Sequence, residues 1–224
     1  MAKSLFFIAS VVIALVLAFI ISSKKKTNKA LLRSIEIHNN SRHLEERLTK
    51  YRDLIGGDYE GYRNHIYRVL TYSLHYLNTD SVHFAEVQKF ISVIEEALVF
   101  HDIGLWTDKQ LSYLEPSSFR AKEALRDVYS EEELKLLHNI IFWHHKVTDF
   151  EGEHADIVNA VRKADWIDAT RGLVNFGMPN SLISEVNAAL SESGFHRTLV
   201  EIGPRYYGYN IYKIVTELVT ILKW

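Results

Sequence analysis

Ala97-Leu98-Val99-Phe100-His101-Asp102-Ile103-Gly104 ends an apolar run on a histidine–aspartate doublet. Upstream, His65 lies in Tyr62-Arg63-Asn64-His65-Ile66-Tyr67-Arg68. Downstream, Asp165 lies in Arg162-Lys163-Ala164-Asp165-Trp166. A histidine, a His-Asp doublet and a distant aspartate, in that order, can build one metal site. Mixed imidazole and carboxylate donors suit Mn, Fe, Co, Ni or Zn better than Ca. The chain has no cysteine, so disulfides and thiolate-held zinc are excluded. Taken singly, His65 reads as a core histidine bonded to a carbonyl, and Asp165 as a surface or capping carboxylate. The ordered set argues for ligands. Asp168, three residues on and on nearly the same helix face, is the rival to Asp165. Neighbouring helical side chains diverge by about 100°, and Gly104 is placed to supply a bend after the doublet, since glycine tolerates conformations that others avoid.

Around the doublet the pattern is helical. Tyr62, His65, Ile66, Val69, Leu70, Ser73, Leu74 and Leu77 fall at steps of three and four, as do Phe84, Val87, Phe90, Ile91, Ile94, Ala97 and Leu98. Ser130 and Glu133 form a capping box ahead of Leu134, Leu137 and Ile141. Further helices are expected over Ile157–Ala169, after Met178-Pro179 with Gly194 as the stop, and over Tyr209–Trp224. From Leu31 to Leu54 a weak apolar stripe suggests a helical connector, broken at Gly56-Gly57. No alternating strand pattern or repeat is present. The expectation is an all-α bundle, with residues 56–224 folding alone and 27–55 serving as a juxtamembrane linker.

The three segments together resemble the HD-domain superfamily of metal-dependent phosphohydrolases, whose ligand order is histidine, His-Asp, aspartate. The resemblance covers roughly residues 56–170 and implies an all-α HD-type helical bundle, because HD domains are all-α. It implies a metal site of His65, His101, Asp102 and Asp165, with hydrolysis of a small phosphoester such as a nucleotide. Some HD proteins carry extra histidines between doublet and final aspartate that hold a second metal or contact substrate, and Phe142-Trp143-His144-His145-Lys146 falls there. Here they are expected to meet substrate, as charge stabiliser or general acid. No histidine stands between the doublet and His138, so one ion per chain is expected. Leu105 stands where nucleotidase-like members have a water-orienting glutamate, and Asp108 is the candidate substitute. Gly203-Pro204-Arg205-Tyr206 does not match the Gly-Tyr-Pro signature of the diguanylate-degrading branch. The His-Asp-Ile-Gly and His144-His145 segments also resemble cyanamide-hydratase-like HD proteins, which gives hydration of a small non-phosphate molecule as an alternative. A non-enzymatic metal- or nucleotide-binding sensor is another. Lys146, Arg63 and Arg68 are candidate phosphate contacts. Tyr62, Trp106, Tyr113, Phe142, Trp143 and Trp166 are candidates to stack on a base, or else core.

The formal net charge of −2 offers no basic field for a nucleic-acid polymer. Ser4–Ser22 is almost entirely apolar and close to the ~20 residues that cross a bilayer. Lys24, Lys25, Lys26, Lys29 and Arg33 follow it, against Lys3 before it, so the positive-inside rule places the following domain in the cytoplasm. The expectation is a single-pass anchor in the cytoplasmic membrane, residues 1–26 with its basic flank. A cleaved signal peptide is the rival, opposed by Phe19-Ile20-Ile21 where small residues should precede a cleavage site.

Overall fold

The computed structural model describes residues 31–78 and 81–222. No described residue forms a strand, so the all-α expectation holds. The apolar Ser4–Ser22 stretch lies outside the described residues. Among those described, no helix is long and apolar enough to cross a membrane.

The order is α1 (Arg42–Leu48), α2 (Arg52–Ile55), α3 (Tyr59–Leu77), α4 (Ser81–Val87), α5 (Ile91–Phe100) and α6 (Gly104–Thr107). It continues with α7 (Leu114–Leu125), α8 (Glu131–Trp143), α9 (Ala155–Ala169), α10 (Asn180–Ala189), α11 (Phe195–Tyr207) and α12 (Ile211–Leu222). Four of these close a ring: α3 packs on α9, α9 on α8, α8 on α5, and α5 back on α3. Around it, α7 covers α5 and α8, α1 covers α5, and α10 and α11 lie on α3.

The pattern on α3 predicts one buried face. The structure buries the helix nearly all round, including Tyr67, Arg68, Thr71, Tyr72 and His75. Periodicity understated this because the extra buried groups are polar and find partners. The predicted capping box forms as read, with Ser130 accepting from Glu133 N and the Glu133 carboxylate accepting from Ser130 N.

Three expectations fail locally. Residues 32–41 are not helical. Their polar groups are satisfied by α3 instead: Arg33 donates to the His75 carbonyl at 2.8 Å, His38 N to Thr71 Oγ1 at 3.1 Å, and Ser41 N to Tyr67 Oη at 3.0 Å. Partner numbers fall as the strap's numbers rise, so it runs antiparallel to α3. Ser41 then caps α1 by accepting from Leu44 N. Gly194 does not stop α10, which ends at Ala189. It sits at φ 87° and starts α11, a helix the pattern did not announce. Gly104 is needed for space rather than for a bend. A Cβ there would lie 2.7 Å from the Tyr113 carbonyl oxygen and 2.9 Å from Ser117 Oγ.

The strap and α1 also belong to the common core, where Ile35, Leu44, Leu48 and Ile55 are buried with the ring helices. Arg47 and His43 reach across to the buried carboxylate of Glu96 on α5, at 2.9 and 3.0 Å. The segment read as a linker is therefore, from residue 31 on, part of the packed body. Leu48→Ala is expected to cost about 2–5 kcal/mol, as for a fully buried leucine. A linker residue would change stability by less than about 0.5 kcal/mol. The urea midpoint, with unchanged slope, decides between them.

Candidate metal centre

Each helix of the ring delivers a donor to one point. His65 comes from the middle of α3 and Asp165 from α9. His101 and Asp102 follow the last residue of α5, and His144 and His145 the last residue of α8. His101 and His144 occupy equivalent C-cap positions. Each donates Nδ1–H to the carbonyl three residues back, Leu98 or Ile141, at 2.6 Å. Those carbonyls belong to the last turn, which has no intrahelical partner for them. The bond fixes the tautomer of both rings and leaves the lone pair on Nε2.

His65 is fixed differently. Its Nδ1 lies 2.7 Å from Asp168 Oδ2, and a carboxylate only accepts, so Nδ1 carries the hydrogen. Asp168 is clamped in turn by Arg68, whose Nε and Nη2 donate to its two oxygens at 2.5 and 2.9 Å. The pairs His65/Arg68 and Asp165/Asp168 thus face one another across the α3–α9 contact, each pair three residues apart. Asp168, the sequence rival of Asp165, orients the histidine. Arg68, a candidate phosphate contact, is a buried counter-ion.

Two donor sets result. His65 Nε2 and His101 Nε2 stand 2.9 Å apart. Asp165 Oδ1 is 3.3 Å from His65 Nε2, and Asp102 Oδ2 is 3.4 Å from His101 Nε2. On the other side, Asp102 Oδ1 is 3.3 Å from His144 Nε2, and Asp165 Oδ2 is 3.3 Å from His145 Nδ1. Ligand atoms of His65, His101 and Asp102 lie within 4.8 Å of one another, and so do those of Asp102, His144 and His145. Both carboxylates therefore straddle the two sets, where the sequence led us to expect one ion.

The chemistry of these atoms fits a cation. Two imidazole lone pairs 2.9 Å apart in a buried site repel unless a cation or proton lies between them. Asp102 Oδ1, Asp165 Oδ2 and His144 Nε2 are buried without a hydrogen-bond partner. Each such group costs about 1–3 kcal/mol when left unsatisfied, and a cation beside Asp102 and His144, whose facing atoms lie 3.3 Å apart, would meet two of them. Buried His/Asp groups here can hold a metal ion.

Electrostatics agree. Burial lowers the basicity of His65, yet the carboxylates of Asp165 and Asp168 hold its pKa up to about 9. Burial takes His101 down to about 4 and also lowers His144. Burial disfavours the charged forms of Asp102 and Asp165, but the surrounding imidazoles outweigh it and both stay ionised.

Other sequence candidates are used elsewhere. The Asp108 carboxylate accepts from Thr107 Oγ1 and pairs with Arg120 at 3.0 Å, outside the set brought together. Arg63 pairs with Glu45. Lys146 is buried, with Nζ 4.7 Å from the Phe142 ring centre. Trp106 donates to Asp58, and Trp143 to the Thr148 carbonyl. Tyr62 donates to the Val99 carbonyl at 2.9 Å, and Phe195 stacks on His65 with ring centres 4.0 Å apart. Tyr113 differs from these, because its hydroxyl meets His145 Nε2. Only its aromatic character was legible in the sequence. No protein-family model, curated protein or solved structure matches this chain.

At neutral pH the ion-free centre holds His65 as the imidazolium, with a second proton on Nε2, because pH 7 lies below its pKa of about 9. His101, with a pKa of about 4, stays neutral, its one hydrogen on Nδ1. Binding a divalent ion must displace the His65 proton. About one proton should be released per ion at pH 7, and Mn²⁺ affinity should rise about tenfold per pH unit before levelling off above pH 9. Calorimetry in buffers of different ionisation enthalpy counts the proton. Release of none would show that His65 is no ligand.

Proposed function

We propose that this chain is a metal-dependent hydrolase of small phosphoesters, a nucleotide among them, held at the cytoplasmic membrane by its Ser4–Ser22 stretch. The observation that carries the reading is the pair of donor sets sharing Asp102 and Asp165, with lone pairs turned inward. His65, His101, Asp102 and Asp165 would hold one divalent ion. Asp102, Asp165, His144 and His145 would hold a second or meet substrate. Such an ion supplies a water of lowered pKa and polarises a phosphoryl oxygen.

The protein's own groups do the rest. Arg68 and Asp168 hold His65 in one tautomer, and the Leu98 and Ile141 carbonyls do the same for His101 and His144. Metal-bound histidines behave in this way when their other nitrogen is engaged. Phe195 and Tyr62 stack on the His65 ring, with centres 4.0 and 6.2 Å away. His145, with 18% of its side chain exposed, is the donor that reaches solvent. Substrate meets the centre there, with the His145 imidazole beside the substrate oxygens. Hydration of a small non-phosphate molecule is the second reading. It is favoured by the near-complete burial of the other donors, which leaves little room for a large substrate, and by Leu105 where a water-orienting glutamate would stand.

Metal analysis of the purified protein, then turnover of nucleotides, phosphoesters and small nitriles, tests the reading. His101→Ala and Asp102→Ala are expected to lose both ion and activity. If His144 and His145 meet substrate, their alanine variants keep one ion per chain and lose about 10²–10⁴-fold in turnover. If they hold a second ion, wild-type protein carries two and either variant one. Unchanged metal content in Asp102→Ala would overturn the centre itself. For the tether, a C-terminal reporter active outside the cytoplasm would refute the orientation.

A further inference from the structure

Tyr113 is a buried aromatic residue at the centre whose hydroxyl the proposed reaction has not used. Away from the donor atoms, buried Tyr62 and Tyr72 donate to backbone carbonyls, Val99 at 2.9 Å and Ile183 at 3.4 Å, and buried Tyr67 to the Glu45 carboxylate at 2.7 Å. A buried phenol usually finds such a partner. The Tyr113 hydroxyl meets groups of the centre instead, His145 Nε2 and the Asp102 carboxylate, and its ring meets His145 edge-on at 5.9 Å between centres. It therefore stands on the side of the donor sets where His145 reaches solvent.

The placement is built from several directions. Gly104 leaves the space that the Tyr113 backbone fills, with its carbonyl 2.7 Å and its Cβ 2.9 Å from where a Cβ would stand. Ser117 N donates to the Tyr113 carbonyl at 2.9 Å, and Ser117 Oγ accepts from Gly104 N at 2.9 Å. From the far side, Glu217 on α12 accepts from Leu111 N at 2.9 Å and Ser112 N at 3.2 Å. The loop before Tyr113 is thus fixed by α6, α7 and α12, and the hydroxyl is held at one place.

A phenol ordinarily titrates at about pH 10, so the hydroxyl carries its proton at neutral pH. The phenol oxygen and His145 Nε2 form one hydrogen-bonded pair at the exposed edge of the donor sets. That hydrogen bond can be exchanged for one to an incoming anionic oxygen, which only accepts, so that the phenol O–H must be the donor.

The geometry points to Tyr113 as a catalytic residue whose O–H donates to a non-bridging oxygen of a phosphate group bound beside His145. No proton is transferred in this step. The donor stabilises charge in a water-poor site, where removing one such group costs about 10²–10³-fold in turnover. The inference rests on the phosphohydrolase reading and names a substrate-touching group for it.

The test compares wild-type protein with Tyr113→Phe, both loaded with Mn²⁺. Inorganic phosphate affinity is measured by calorimetry, and turnover with bis-p-nitrophenyl phosphate. Tyr113→Phe should keep the wild-type Mn²⁺ content and melting temperature, bind phosphate at least about tenfold more weakly, and lose about 10²-fold in kcat. Glu217→Ala retains the hydroxyl but loosens its loop, and should show a smaller loss of phosphate affinity in the same direction. Equal phosphate affinity and turnover in Tyr113→Phe would overturn the role and leave the hydrolase reading standing. Loss of Mn²⁺ in that variant would overturn it too, making the phenol oxygen a ligand. A wild-type protein that holds Mn²⁺ yet neither binds phosphate nor cleaves the ester would end the phosphate reading and this inference together.

Discussion

Lone pairs that face one another in a dry interior govern this molecule. Two imidazole nitrogens 2.9 Å apart and two straddling carboxylates cannot be buried on their own account. Low dielectric strengthens whatever repulsion is left uncompensated. The fold brings them together because four helices meet at one point and each contributes part of the set. Apolar packing of α3, α5, α8 and α9 provides the free energy, and the polar cluster spends part of it. The buried Arg68–Asp168 pair shows the same tension. Removing one partner of such a pair typically costs 3–5 kcal/mol, though the intact pair adds little net stability. Its value here lies in holding the His65 ring, since the tautomer decides whether Nε2 presents a lone pair.

The sequence made the donors legible for a simple reason. Ligand types are chemically restricted, and their order along the chain survives folding. His65, the His101-Asp102 doublet, Asp165 and the His144-His145 pair all converge. What it could not reveal was which oxygen or nitrogen of each residue faces which neighbour. That is fixed by turn carbonyls and by α3–α9 register. Asp165 and Asp168 share a helix face three residues apart, and only the Arg68 clamp separates their tasks. Helices with strong apolar periods were legible too, as was the Ser130 cap. The strap over 31–41 was not, because tertiary hydrogen bonds from Arg33, His38 and Ser41 to α3 override a weak helical period. Gly104 was noticed for the wrong property. A sequence shows that a side chain is missing but not what fills the gap, which here is the backbone of Tyr113.

Glu217 ties the loop before Tyr113 to α12, the last helix described, although 104 positions separate residues 113 and 217 along the chain. This has a consequence in time. During synthesis the chain emerges from its N-terminus, and its parts begin to pack before the remainder is made. Every donor of the centre, as far as Asp165, leaves the ribosome before Glu217 does. The ligand-bearing ring can therefore close on an ion while the loop that carries the phenol still lacks its outer anchor. The centre would be assembled in two stages, with its metal-binding face first and its solvent-side face only when the final helix docks.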